Sequence, residues 1–455
     1  MSDGRAMNNE TAIQNYRDLF ATFEHTLNGG ASGETHRLRR EAIDRFASTG
    51  FPTMRGEDWR YTNFNPLIRQ SFALAEAPGA QPSLRDAALA GSIDIAGAVT
   101  LLFVNGVYLP ELSDIDRIPD GIRVTPLHEF IAAETDRAAE TDRAANPAMA
   151  DDVLARNPFA ALNTAFMHHG VVIETARGVT ATVPLHLLFF CTDSPQPFMT
   201  HPRVIVRMAS QAQLDIVEQY AGADGATYFT NTLTDIRVED GAVLRHVKLQ
   251  DESRSAVHVA SVYTSAGRAG TYENHAIGFG SALQRGNIHG VLDGEGGHVT
   301  MNGLFLPSGT QHMDHFTTID HAVPHCTSHE LYKGVLADEA RGVFTGKIIV
   351  RQDAQKTDAV QANNNMLLSE RAQIDTRPQL EIYADDVRCT HGATVGRMSA
   401  DQLFYLLSRG IDRQTAQNIL TYAFAADIVA RIPIDTVREV LDVELHRRLG
   451  ATWNK

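Results

Sequence analysis

The sequence predicts a mainly β protein with helical ends, and three observations carry that prediction. From about Val171 to Val395, short runs of alternating apolar and polar residues follow one another, among them RVIVRM, QLDIVEQY, VLRHVKL, HVTMNGLFL and GVFTGKIIV. Such a period of two reads as strand, because successive side chains of an extended chain point to opposite faces. Turn signals, GADGAT, EDGA, DGEGG and LPSGT, separate the runs. No long helical period interrupts this stretch, whereas the residues on either side carry one.

The elements follow in order. NYRDLFATFEHTL places Tyr16, Leu19, Phe20, Phe23 and Leu27 at helical spacing, which makes one amphipathic face. AVTLLFVNGVYLP reads as a strand, a turn at Asn105 and Gly106, and a second strand. ETDRAAETDRAANPAM is a tandem unit rich in Ala and charge, a solvated helix or spacer. The strands that follow are too many for one ordinary sandwich. Stacked β-rungs, with Gly and Asn at the corners, would accommodate them. No fixed-period repeat is visible, so a pair of sandwiches fits the pattern as well.

After Gly396 the period becomes helical. Ser399 and Gln402 have capping-box spacing, Leu403, Leu406 and Leu407 lie on one side, and Gly410 ends the helix. Asp412 caps a second helix bearing Ile419, Leu420, Ala423, Phe424 and Ile428, which stops before Pro433. A third starts at Asp435 with Val437, Val440, Leu441 and Leu445. These helices carry more apolar surface than they can bury among themselves. They either pack on the β-region or present a docking surface. The expected division is 1–165 as a mostly helical region with linker, 166–396 as the β-core, and 397–455 as a helical domain.

Composition narrows the function. At 455 residues the chain can build a substantial core, and 43% apolar with 21% charged residues is ordinary for a globular protein. A formal net charge of −15 argues against nucleic acid as the main partner. Three cysteines, Cys191, Cys326 and Cys389, are too few and scattered for a disulfide framework and suit a reducing compartment. MSDGRAMNNE has no signal-peptide pattern and no apolar run is long enough to span a membrane, so a cytoplasmic protein is expected. GVFTGKI lacks the first glycine and the final Ser or Thr of a phosphate loop, and reads as an apolar strand end. GFGSAL lacks the third glycine of a dinucleotide loop. No G-x-S-x-G, H-E-x-x-H or C-x-x-C occurs.

Three places carry ligand-type residues. QHMDHFTTIDHAVPHCTSHELYKG holds His312, His315, His321, His325, Cys326 and His329, from which a metal site of a stand-alone β-solenoid or cupin-like metalloenzyme can be drawn. Its spacing matches no metal motif, and on strands His312 and His315 face opposite sides. Asn363, Asn364 and Asn365 in QANNNMLLSE suggest a corner or bulge. In DVRCTHGATVG, Cys389 and His391 stand two apart, which on a strand gives a thiol and an imidazole on one face. Two such ligands are either an incomplete soft-metal site or a packed Cys beside a hydrogen-bonded His.

Taken with RGEDWRYTNFNPL, SHELYKGVLADEARGVFTGKIIV, QANNNMLLSE, CTHGATVG and DQLFYLLSRGI, the chain resembles the SufB/SufD family of the SUF iron–sulfur cluster assembly machinery, on its SufD side. SufB-type chains carry a cysteine where QANNNMLLSE has asparagine, and a glutamate where this sequence has Gly392. The resemblance covers nearly the whole length. It implies a right-handed parallel β-helix between N-terminal and C-terminal helical domains, and a non-catalytic scaffold subunit of a SufBC2D-type complex. It implies pairing with SufB through the last β-strands and docking of the SufC ATPase on the C-terminal helices, which would engage Leu403, Phe404, Leu407, Ile419 and Phe424. Carried over by position, His391 and its neighbour Cys389 imply a metal or nascent iron–sulfur cluster site shared with SufB. Reduced flavin is a further expectation for the complex, although no flavin motif is present. The open strand edge would also allow a homodimer.

Overall fold

The computed structural model describes residues 9–27, 33–137 and 156–452. Before the β-region come helices α1 (Asn9–Thr26), α2 (Glu34–Thr49), α3 (Asn65–Arg69), α4 (Pro82–Ala90), α5 (Leu127–Arg137) and α6 (Pro158–Ala165). The tandem Ala-rich unit lies, beyond Arg137, outside the described residues. Short strands are interspersed: β1 (Ala73–Leu74), β2 (Val99–Val104), β3 (Val107–Tyr108) and β4 (Ile122–Pro126). The expected hairpin is present as β2 and β3, with Asn105 and Gly106 both at positive φ, 50° and 83°.

Two long sheets then build up in alternation. The first receives β5 (Gly170–Thr175), β8 (Arg203–Met208), β10 (Tyr228–Val238), β12 (Val257–Ala266), β14 (Leu283–Leu292), β16 (His312–His321), β18 (Arg341–Val350) and β20 (Gln373–Ile382). The second receives β6 (Leu185–Cys191), β9 (Gln213–Gly222), β11 (Val243–Asp251), β13 (Thr271–Gly278), β15 (His298–Phe305), β17 (Thr327–Leu336), β19 (Asp358–Leu367) and β21 (Arg388–Gly396). β7 (Phe198–Thr200) pairs beside β10. All these pairings are parallel. Each coil therefore stacks on the one before, and the molecule is a parallel β-helix rather than a pair of sandwiches. β2 and β4 extend the two sheets at the starting end, so the region expected to be mostly helical contributes strands to the stack.

A repeat exists, but not at a fixed period. Val257 lies opposite Leu283, 26 residues on, whereas Arg341 lies opposite Gln373, 32 residues on. What recurs is one corner. Gly178, Gln211, Gly241, Ala269, Gly296, His325 and Lys356 all adopt left-handed backbone, with φ between 51° and 73°. In each, the freed N–H donates to a carbonyl of the next coil, as from Ala269 to Glu295 at 3.0 Å and from Lys356 to Asp386 at 2.7 Å. Only three of the seven are glycine. The expected asparagine corner is not found: Asn363, Asn364 and Asn365 sit mid-strand in β19. Asn363 and Asn365 are buried and bond Tyr332 O and Asn363 Oδ1, and Asn364 accepts from Thr394, so their amides serve the ladder rather than a turn.

The helices attach to the outside. α6 and the aromatic groups Phe46, Phe51, Trp59 and Phe64 pack over the first sheet at Phe229 and Val259. RGEDWRYTNFNPL ties the N-terminal region to the middle coils. The Arg285 guanidinium lies 4.4 Å from the Trp59 ring, donates to Asp58 O at 2.9 Å and pairs with buried Asp314, which also accepts from Thr62. After β21 come α7 (Ala400–Ser408), α8 (Arg413–Val429) and α9 (Asp435–Thr452), with Ser399 and Asp412 capping α7 and α8 as expected. Ala425, Ile428, Leu441 and Leu445 pack on the second sheet at Val217, Val247 and Leu304. Packing on the β-region therefore holds for α8 and α9, while no residue of α7 is buried.

An L-residue in left-handed backbone carries a penalty of about 1–2 kcal/mol, while glycine costs about 0.5–1 kcal/mol in chain entropy. Ala269→Gly is therefore expected to raise the unfolding free energy by about 0.5–1 kcal/mol in denaturant titration, and mid-strand Ala260→Gly to lower it.

Candidate functional site

The two sheets end in β20 and β21, each paired along one edge only. On the preceding coil, Ala359, Gln361, Asn363 and Asn365 are buried and point into the lumen. Their register partners on β21 are Cys389, His391, Ala393 and Val395. Thiol and imidazole thus share the inward face, as the spacing predicts. With no coil above them, this inward face is the open mouth of the β-helix. Around it Ile382, Tyr383 and Val395 are exposed at 40%, 63% and 49%. Such an edge, with free backbone groups and apolar side chains, is a template for another chain.

The two ligand candidates differ in setting. His391 is exposed. Cys389 is half-buried against Ile348, Val350, Ala354, Ala359 and Ala384. Burial, and then the Asp358 carboxylate, push its thiol pKa up, so it is held as the thiol at neutral pH. A metal arriving here would have to displace that proton. A Cβ at Gly392 or Gly396 would meet nothing within 4 Å, so no crowding within the chain requires glycine there.

The histidine-rich stretch does not assemble. His312 lies 3.0 Å from the Thr62 hydroxyl, His315 is buried beside Tyr332, and His321 bonds Ser328 at 2.9 Å. His325 occupies an exposed left-handed corner, Cys326 is buried with its thiol toward Gly294 O, and His329 lies beside His298. Among the described residues no group of three or more His, Cys, Asp or Glu is placed to hold a metal. GVFTGKI is strand β18, where a Cβ at Gly342 would strike Ile374 and Leu336, so it is no phosphate loop. Among the described residues no helix is long and apolar enough to cross a membrane.

Alternation also buries polar side chains that no sequence motif marks. Glu218 lies 3.3 Å from His246 and 3.6 Å from Lys248, and accepts from Tyr220 and Thr234. Burial opposes its ionisation, but His246, Lys248 and the Thr234 hydroxyl together outweigh that and hold its pKa below the usual value. Burial lowers Lys248 to about 8, with Glu218 resisting. Glu252 pairs with His258 at 2.7 Å. Glu330, nearer the mouth, is fully buried with Gln361 as its hydrogen-bond partner. The signal that would have found it is its place between Ser328 and Tyr332 on the inward register of β17.

Comparison with known proteins decides the family. The family description "SUF system FeS cluster assembly, SufBD core domain" matches residues 190–424, and "SufBD protein N-terminal region" matches residues 10–187. The chain belongs to the SufB/SufD family. Among SufB/SufD relatives, it is 32% identical to the iron–sulfur cluster assembly protein SufD of Escherichia coli, over 97% of this chain and 98% of that one. It is 31% identical to an iron–sulfur cluster assembly SufBD family protein of Synechocystis, over 88% of each chain. The SufD of Bacillus subtilis is 25% identical over 64% of this chain and 66% of its own. A role in SUF iron–sulfur cluster assembly follows from this membership.

Cys191 and Cys326 are buried, so Cys389 is expected to alkylate first with iodoacetamide, at a rate still rising above pH 9. Removing the nearby charge in Asp358→Asn should raise the rate at pH 8, because one of the two causes that push the thiol pKa up is gone. Peptide mapping of the alkylated cysteines against pH measures both.

Proposed function

We propose that this chain is the non-catalytic SufD-type subunit of an assembly that builds iron–sulfur clusters in the cytoplasm, joined to a SufB-type partner and a SufC-type ATPase. The observation that carries the reading is the unpaired terminal coil, with an imidazole and a thiol on its open inward face. A second β-helix stacking on β20 and β21 would satisfy their free edges and cover Ile382, Tyr383 and Val395. His391 would then face the partner across a closed lumen. There a neutral imidazole, with thiolate or carboxylate from the partner, suits iron as cargo. Cys389 would join as thiolate only once metal displaced its proton.

The ATPase would dock on α7. Phe404 is 72% exposed, Leu403 and Leu407 are half-buried beside it, and Ile419 on α8 is exposed. An apolar helix face of this kind suits a groove on a partner. Phe424 belongs to the inner side of the same helix pair. The Lys333 ammonium lies 4.6 Å from its ring, donates to its carbonyl at 3.1 Å and pairs with Asp427 at 2.8 Å. A docked ATPase would thereby pull on β17 of the second sheet through Lys333.

Co-expression with SufB-type and SufC-type partners, followed by size exclusion and anaerobic iron analysis, tests this. His391→Ala should leave the chain's own stability within about 0.5 kcal/mol, as for other exposed positions, and leave the complex intact with depleted iron. Normal iron in an intact complex would remove His391 from the function. Phe404→Asp should release the ATPase while retaining the SufB-type partner. Release of both, or of neither, would refute the assignment of α7.

A further inference from the structure

Glu330 differs from the other carboxylates of the lumen. Glu218 and Glu252 are each matched by a buried base within 4 Å. Among the described residues Glu330 has no ion-pair partner, although it is 2% exposed. Its Oε2 accepts from Gln361 Nε2 at 2.6 Å, and the Thr317 hydroxyl lies beside the carboxyl. Three atoms of this group remain without a partner: Glu330 Oε1, Gln361 Oε1 and Thr317 Oγ1. An ionised carboxylate cannot serve them all, because it adds only acceptors. One proton on Glu330 can. The carboxyl then donates to Gln361 Oε1 while the amide donates back, and the Thr317 hydroxyl donates to the carboxyl. Across the lumen, a Cβ at Gly346 would stand 2.4 Å from Gln361 Nε2, so the amide is held in place by packing.

The position of this pair gives it a use. Glu330, Gln361 and His391 occupy one register column on β17, β19 and β21. At about 4.8 Å per coil the carboxyl sits roughly 10 Å inside the open mouth. The titratable groups around it are Tyr332 on its own strand, His315 on β16 packed against Tyr332, and His391 two coils away at the mouth. Burial lowers His315 to about 4 and raises Tyr332 well above its ordinary value, so neither is charged at neutral pH. Burial likewise raises Glu330 to about 7.

We infer that Glu330 and Gln361 form a buried acid–carboxamide pair that serves as a switchable counter-charge, releasing its proton when a divalent cation is held at the terminal coil. The counter-charge role rests on the reading that metal cargo reaches His391; the protonated pair does not. Cation binding places positive charge over a low-dielectric lumen, and the O–H bond of the carboxyl breaks to leave a carboxylate. The proton leaves to solvent through the mouth, so charge balances without any further reactant.

Two measurements test this on the full chain in its co-expressed assembly, wild type against Glu330→Gln, which keeps the shape of the pair. Difference infrared spectroscopy reads the proton directly. Wild type should show a protonated-carboxyl carbonyl band at pH 6 that is lost by about pH 8.5, absent in Glu330→Gln. No such band would mean an ionised Glu330 served by water, and would overturn the pair. The melting temperature should follow. A carboxyl raised from 4.5 to about 7 contributes stability at low pH that is lost as pH rises through 7, so wild type should fall relative to Glu330→Gln between about pH 5 and 8. Parallel profiles would contradict the pair. Zinc(II) then probes the coupling at pH 6.5, with proton release measured in buffers of different ionisation enthalpy. Glu330→Gln should release about one proton fewer per zinc bound. Equal release would overturn the counter-charge role. Failure of zinc to bind wild type would instead overturn the cargo reading, with the infrared result unaffected.

Discussion

Everything in this molecule depends on the parallel ladder, in which each coil satisfies the backbone of the coil before it. Because hydrogen bonds run along the stack, the lumen is left for side chains alone, and the helices can attach only to the outer faces. The same rule makes the two ends unequal. At the start, β3 and β4 turn antiparallel and close the sheets. At the finish, β20 and β21 have no successor. The free edge, the exposed apolar rim and the open inward face are therefore one consequence of stopping a stack.

The lumen obeys a second constraint. A buried carboxylate in low dielectric must be paired or neutralised, since leaving it charged and alone costs several kcal/mol. Glu218 takes the first solution through Lys248, and Glu252 is served by the Thr230 hydroxyl and the Gln250 amide beside His258. These groups lie on β9, β10, β11, β12 and the β11–β12 turn, several coils from the open mouth. Glu330 takes the second solution, and does so close to the mouth. The contrast between paired charge at depth and unpaired carboxyl near the opening separates a structural use of buried polarity from a responsive one.

Much of this was legible in the sequence. The helix caps at Ser399 and Asp412, the Asn105–Gly106 turn and the period-two runs are local chemistry, and local structure followed them. The coil repeat was hidden for a physical reason. Its most regular feature is a left-handed corner, which Gln211, Ala269, His325 and Lys356 occupy without glycine and which the β20–β21 turn lacks, and the intervening lengths vary. Interstrand hydrogen bonds hold those corners, so composition does not report them. The asparagine run was misread because asparagine favours turns in isolation, whereas inside a β-helix its amide can span coils. At the mouth, Cys389 and His391 share one face as their spacing predicts, but their unequal exposure depends on the apolar group beneath Cys389, which only tertiary packing brings together.

The clasp on the middle coils has a consequence for synthesis. Thr62 and Asp314 are separated by 252 residues, and Asp58 and Arg285 by 227. A chain emerging from the ribosome presents its N-terminal aromatic segment long before the coil that receives it exists. At about 5–20 residues per second, Trp59 waits for something on the order of ten to fifty seconds with no finished seat. Trp59 can meet Phe159 early, but its clasp to Arg285 and Asp314 can close only once the coils through β16 have been made.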